Sequence, residues 1–173
     1  MDIKKDLSSN QIILLTIPSG EYNPTMIKII KQVEGNVCYV TANKTFDSLR
    51  ELFKKKSIKM QNIVFIDSIS KTIRKTPDQS DQVYYVSSPG ALTELDLVID
   101  KFLRHEFDYL IFDSITNLTT YQKPEICAKF MTSLTNKIKK TKTKAIFYSI
   151  GDSSEKLPSH LSMLADKVIK IKE

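Results

Sequence analysis

Short runs of β-branched and apolar residues recur along this chain, separated by segments of helical period or by polar loops. The runs cover residues 11–16, 36–41, 62–67, 83–86, 107–112, 145–149 and 167–171. Ile12-Ile-Leu-Leu15 shows no polar alternation, the pattern of a parallel strand covered by helices on both faces. Between the runs, Met26, Ile30 and Val33 follow Asn23-Pro24, which reads as an N-cap with proline at the first helical position. Phe46, Leu49 and Phe53 mark a second helix that ends in Lys54, Lys55 and Lys56. Leu92, Leu95, Ile99 and Phe102 mark a third, opened by Ser88-Pro89, and Cys127, Phe130, Leu134 and Ile138 stripe the longest. This alternation predicts a three-layer α/β fold with a mainly parallel sheet. A chain of 173 residues, 41% of them hydrophobic, is expected to form a single domain, with its core over 11–171.

Several function classes are disfavoured. Cys38 and Cys127 lie in apolar segments, where a free thiol packs as a small hydrophobe, so a reducing, cytoplasmic setting is expected. The first ten residues are polar and give no secretory core, and no apolar run reaches the ~20 residues that cross a bilayer. His105 and His160 have no Cys, Asp or Glu at zinc-ligand spacing. There is no G-x-S-x-G elbow for a serine hydrolase. Tyr84, Tyr85 and Phe147 fall in strands and read as core rather than as stacking platforms for bases.

The net charge of +6 raises the question of nucleic acid. Only Arg50, Arg74 and Arg104 supply guanidinium groups, and the lysines are scattered over helix ends, where they complement the C-terminal dipole. Binding to DNA or RNA is therefore expected to be at most weak and non-specific. The polar, partly basic segment 68–82 joins two strands without a convincing helix. It reads as a mobile surface connection, with Lys71, Arg74 and Lys75 as the alternative nucleic-acid contacts.

In an open α/β sheet, ligands collect at the carboxyl ends of the strands. Those ends carry residues 18–25, Ala42-Asn-Lys44, Asp113-Ser114 and Ser149-Ile-Gly-Asp152. The strand Leu110-Ile-Phe-Asp-Ser114 has the form of a Walker B element, whose Asp holds Mg²⁺ in P-loop enzymes. No G-x-x-x-x-G-K-[ST] occurs in the chain, and the place for one reads Thr16-Ile-Pro-Ser-Gly-Glu-Tyr-Asn-Pro-Thr25. Together with Val37-Cys-Tyr-Val-Thr41, Ser87-Ser-Pro-Gly-Ala-Leu-Thr93 and Leu164-Ala-Asp-Lys-Val-Ile169, these segments resemble the KaiC-like branch of the RecA superfamily, in particular short archaeal members with degenerate P-loops. The resemblance implies a RecA-like fold, a nucleotide site at the turn after the first strand, and self-association or a protein partner.

The departures define the functional expectation. A working P-loop wraps phosphate in successive backbone N–H groups and adds a lysine and a Ser/Thr on Mg²⁺. Here the turn holds one glycine, Gly20, while Pro24 removes a donor and Glu21 adds a negative charge. KaiC-like ATPases carry acidic residues after the second strand, where this chain has Asn43-Lys44. The chain therefore reads as a catalytically inactive pseudo-ATPase acting as a regulatory or interaction module, with no cofactor expected. The alternative is a divergent ATP-binding protein or slow ATPase. In that case Ser19, Gly20, Thr25, Lys44 and Asp113 would form the anion or nucleotide site, with Thr25 and Asp113 on Mg²⁺. Without a metal, Asp113 would simply cap the turn that follows it.

Overall fold

A computed structural model describes residues 1–151 and 156–172. Eight strands form one sheet: β1 (Ile12–Ile17), β2 (Val37–Thr41), β3 (Ile63–Asp67), β4 (Gln79–Ser80), β5 (Val83–Tyr85), β6 (Tyr109–Asp113), β7 (Lys144–Ile150) and β8 (Lys167–Lys170). Their order is β4-β5-β3-β2-β6-β7-β1-β8. Every pairing is parallel except that of β4 with β5.

Helices cover both faces, as the unbroken burial of β1 and β2 requires. On one face, α1 (Ile3–Ser9), α2 (Tyr22–Ile30) and α3 (Phe46–Lys55) pack on Ile13, Leu15, Tyr39, Ile111 and Ile146. On the other, α5 (Leu92–Leu103), the short α6 (Leu118–Tyr121), α7 (Pro124–Lys139) and α8 (Lys156–Ser162) share a core with Leu14, Val40, Leu110, Phe112 and Phe147. Tyr85 and Phe147 are buried and Tyr84 stacks edge-on against Phe102, so these aromatics are core. Cys38 and Cys127 are free and buried. Among the described residues, no helix is long and apolar enough to cross a membrane.

Three local expectations are corrected. The helix after β1, α2, starts at Tyr22, after a 3₁₀ turn over Ser19–Glu21, and not at Pro24. Pro24 is its third residue, where the N–H has no intrahelical partner to lose, so proline is tolerated there too. Ser88-Pro89 forms a turn ahead of α5, which starts at Leu92 with no side-chain cap. Segment 68–82 contains α4 (Ser70–Ile73) and then β4, which pairs antiparallel with β5 just beyond it. The organising residue is Asp67, fully buried at the end of β3. Its carboxylate accepts from the Ile69 and Ser70 N–H groups at 2.7 and 2.8 Å, from Ser70 Oγ at 2.5 Å and from the Phe46 N–H at 2.7 Å. The same segment's Lys71 pairs with Asp78 at 2.7 Å, and Arg74 pairs with Asp47 of α3.

Candidate functional site

The carboxyl ends of β1, β2, β6 and β7 lie side by side at the middle of the sheet, where the strand order changes direction. A cleft of about 430 Å³ opens there, between Ser19 and Tyr22 after β1, Asn43 and Lys44 after β2, and residues Thr116 to Thr120 after β6. Its lining carries hydroxyls, amides and one ammonium group.

Local hydrogen bonds hold the walls. Thr41 Oγ1 donates to the Lys44 carbonyl at 2.6 Å and accepts from the Lys44 N–H at 3.1 Å, which folds the turn after β2 tightly. Asn117 Nδ2 donates to the Ala42 carbonyl at 3.0 Å and to Asn43 Oδ1 at 3.1 Å, tying the segment after β6 to that turn. Thr116 Oγ1 accepts from the Ile150 N–H at 3.2 Å and lies 3.1 Å from Ser114 Oγ. The Asp113–Ser114 peptide bond is cis.

Beneath the cleft sits Asp113, which is fully buried. Its Oδ2 accepts from the Tyr39 hydroxyl at 2.6 Å and from the Tyr22 hydroxyl in a shorter contact. Burial pushes the carboxyl pKa up to about 6, against the downward pull of the two tyrosine hydroxyls and of Lys44. The pKa values of Tyr22 and Tyr39 are raised by burial and by the Asp113 charge, so both phenols keep their protons and act as donors. Tyr148, the register partner of Asp113 on β7, is buried on the same face. Tyr148 OH and Asp113 Oδ1 have no hydrogen-bond partner among the described residues. Asp113 is therefore not a turn cap. That role falls to Asp67, the corresponding residue at the end of β3.

Of the residues picked out from sequence, Ser19 and Lys44 face the cleft. The Lys44 ammonium lies 5.5 Å from the centre of the Tyr22 ring, in a cation–π contact. Gly20 is in the 3₁₀ turn, with open space where a Cβ would stand. Thr25 is buried on α2, one turn beyond Tyr22, and does not line the cleft. Asp113 is separated from the cleft by Tyr22. Asp152 lies outside the described residues.

Sequence reasoning missed Tyr22 and Tyr39, since each reads as an ordinary apolar position of its helix or strand. What the structure adds is the length of the turn: β1 ends at Ile17 and α2 begins at Tyr22, with residues 18–21 between them.

Among solved structures, a KaiC-like protein from the hyperthermophilic archaeon Pyrococcus horikoshii matches this chain with a TM-score of 0.67 and 13% sequence identity. The match covers 94% of this chain and 74% of that one. The fold is RecA-like. No family model matches the chain, and no curated protein matches it by sequence.

Proposed function

We propose that this chain is a RecA/KaiC-like pseudo-ATPase, an interaction or regulatory module that does not turn over ATP. The observation that carries the reading is the place of Tyr22. With residues 18–21 between β1 and α2, the first residue of α2 sets an aromatic ring over Asp113, where a P-loop enzyme would have phosphate and Mg²⁺. The residues at hand do not fit a Mg²⁺–triphosphate. Two hydroxyls occupy Asp113 Oδ2, Thr25 is turned into the core, and the turn over 18–21 is too short to wrap phosphates with successive N–H groups. No carboxylate follows β2 to activate water, since that turn carries Asn43 and Lys44.

Phosphate release from ATP should equal the no-enzyme control. Thermal unfolding with ATP, ADP or GTP plus Mg²⁺ should show no stabilisation at concentrations where a ligand at ~100 times its Kd adds about 2.7 kcal/mol. Steady release that disappears in Asp113→Asn would overturn the proposal. The module then acts through its surfaces, on a protein partner or a second copy. Size-exclusion chromatography with light scattering tests self-association directly.

A further inference from the structure

A second cleft, of about 570 Å³, runs along α7 beside α8 and shares no residue with the one above Asp113. Its volume falls within the ~300–1,000 Å³ range of ligand pockets. Lys129, Ser133, Asn136 and Lys140 line it and, by their helical spacing, form one stripe along α7. Thr132 and His160 form the wall toward α8. Thr132 Oγ1 donates to the Ala128 carbonyl at 2.8 Å, which leaves its oxygen to accept from the His160 Nε2–H at 3.0 Å. That contact pins α8 to α7 and fixes the shape of the groove.

The charge along this groove has one sign. Lys137 is paired with Asp96 of α5 at 2.8 Å, but Lys129 and Lys140 are exposed and have no acidic partner among the described residues. No carboxylate lines the cleft. α7 and α8 hold one acidic residue between them, Glu125, which makes no ion pair with Lys129 one turn later. Between the two free ammonium groups, the side chains of Ser133 and Asn136 make no hydrogen bond among the described residues. A negatively charged occupant with backbone amides to offer satisfies all four side chains. A second copy of this chain, at a net charge of +6, brings the wrong sign. No arginine or aromatic ring lines the groove, so it lacks the forked donors and stacking faces that nucleic acid uses.

At 1.5 Å of rise per residue, Lys129 and Lys140 stand about 16 Å apart along the helix axis. An extended chain covers that distance in about five residues. We propose that the α7–α8 groove docks an extended acidic segment of a protein partner, with carboxylates on Lys129 and Lys140 and the peptide backbone between them on Ser133 and Asn136. The proposal gives the interaction module a surface and rests on that reading. Peptide binding is measured without nucleotide and phosphate release without peptide, so a failure of one is distinct from a failure of the other.

Fluorescence anisotropy tests it on the full chain, with a labelled peptide of about 12 residues carrying glutamate at alternate positions, which puts its carboxylates on one face when extended. The glutamine counterpart of the peptide should not bind. Lys129→Glu with Lys140→Glu should weaken binding by about 10-fold or more. Lys54→Glu with Lys55→Glu, an equal charge change at exposed positions of α3, should weaken it far less. Ser133→Tyr fills the groove without changing its charge and should also weaken binding, by about 3-fold or more. All the substituted residues are exposed, and an unchanged circular dichroism spectrum verifies the fold of each variant. Any of four results would overturn the proposal: no binding of the glutamate peptide at low salt, equal loss in the two charge-reversal variants, full affinity in Ser133→Tyr, or binding of single-stranded dT20 that is weakened by the groove variants as much as peptide binding is. The last would make the groove a nucleic-acid surface instead.

Discussion

Replacing Asp113 by asparagine isolates the charge of the buried carboxyl, because the amide oxygen still accepts from Tyr22 and Tyr39 while ionisation is removed. Burial raises the Asp113 pKa from its ordinary 3.8 to about 6, so the native state holds this proton more tightly than the unfolded chain does. Stability from this group is therefore fully present below about pH 4, is lost as pH rises through 6, and is level above that. At ~1.36 kcal/mol per pKa unit, the swing is on the order of 3 kcal/mol. Denaturant unfolding of wild type and Asp113→Asn at pH 4 and pH 8 reads it out. The stability difference between the two proteins should move in favour of the variant by roughly that amount at the higher pH. Titrations of groups remote from Asp113 cancel in the comparison. A difference that does not change with pH, or that moves in favour of wild type, would refute the reasoning.

Other substitutions probe the supports of the site. Tyr22→Phe removes one of two donors to a buried carboxylate and should destabilise the protein by roughly 1.5–3 kcal/mol at pH 8, as read by urea unfolding. Asp67→Ala strands the buried N–H groups of Phe46 and Ser70 and should lower stability by roughly 3–5 kcal/mol, with earlier proteolysis in segment 68–82. Gly35→Ala should lower stability by roughly 1–3 kcal/mol, measured by thermal unfolding. Gly35 has a φ of +121°, and a Cβ there collides with the Asp108 carboxylate.

The sheet was legible because its strands are continuous apolar runs and its main helices keep one apolar stripe. The elements that escaped are those with little to bury. α1 contributes only Ile3 and Leu7 to the core, in a stretch otherwise polar, and β4 has two exposed residues. Asp67 and Asp113 show why the site was harder to read. Each ends a buried parallel strand, and no local pattern separates them. What distinguishes them is the following backbone, which turns back onto Asp67, and the two tyrosines that reach Asp113 from 91 and 74 residues earlier in the chain. Contacts of that span leave no periodic trace. Ser19 and Lys44 could be placed at the cleft because strand ends in this architecture converge, but what closes the cleft depends on where α2 begins.

Tyr22 also sets how strongly any ligand could use Asp113. To reach the carboxylate, a ligand must turn the ring aside, giving up a hydrogen bond to a charged group and the Lys44 contact over the ring face. The first is worth roughly 1.5–3 kcal/mol and the second about 0.5–2 kcal/mol. An opening penalty of about 3 kcal/mol leaves less than one molecule in 100 competent, and apparent affinity falls by the same factor. A site with intrinsic micromolar affinity would then bind in the range of hundreds of micromolar. The ring therefore acts as a thermodynamic barrier as well as a steric one. Because its hydroxyl links α2 to β6 and the Tyr39 hydroxyl links β2 to the same oxygen, the barrier and the stability of the sheet's central strands are set by one carboxylate.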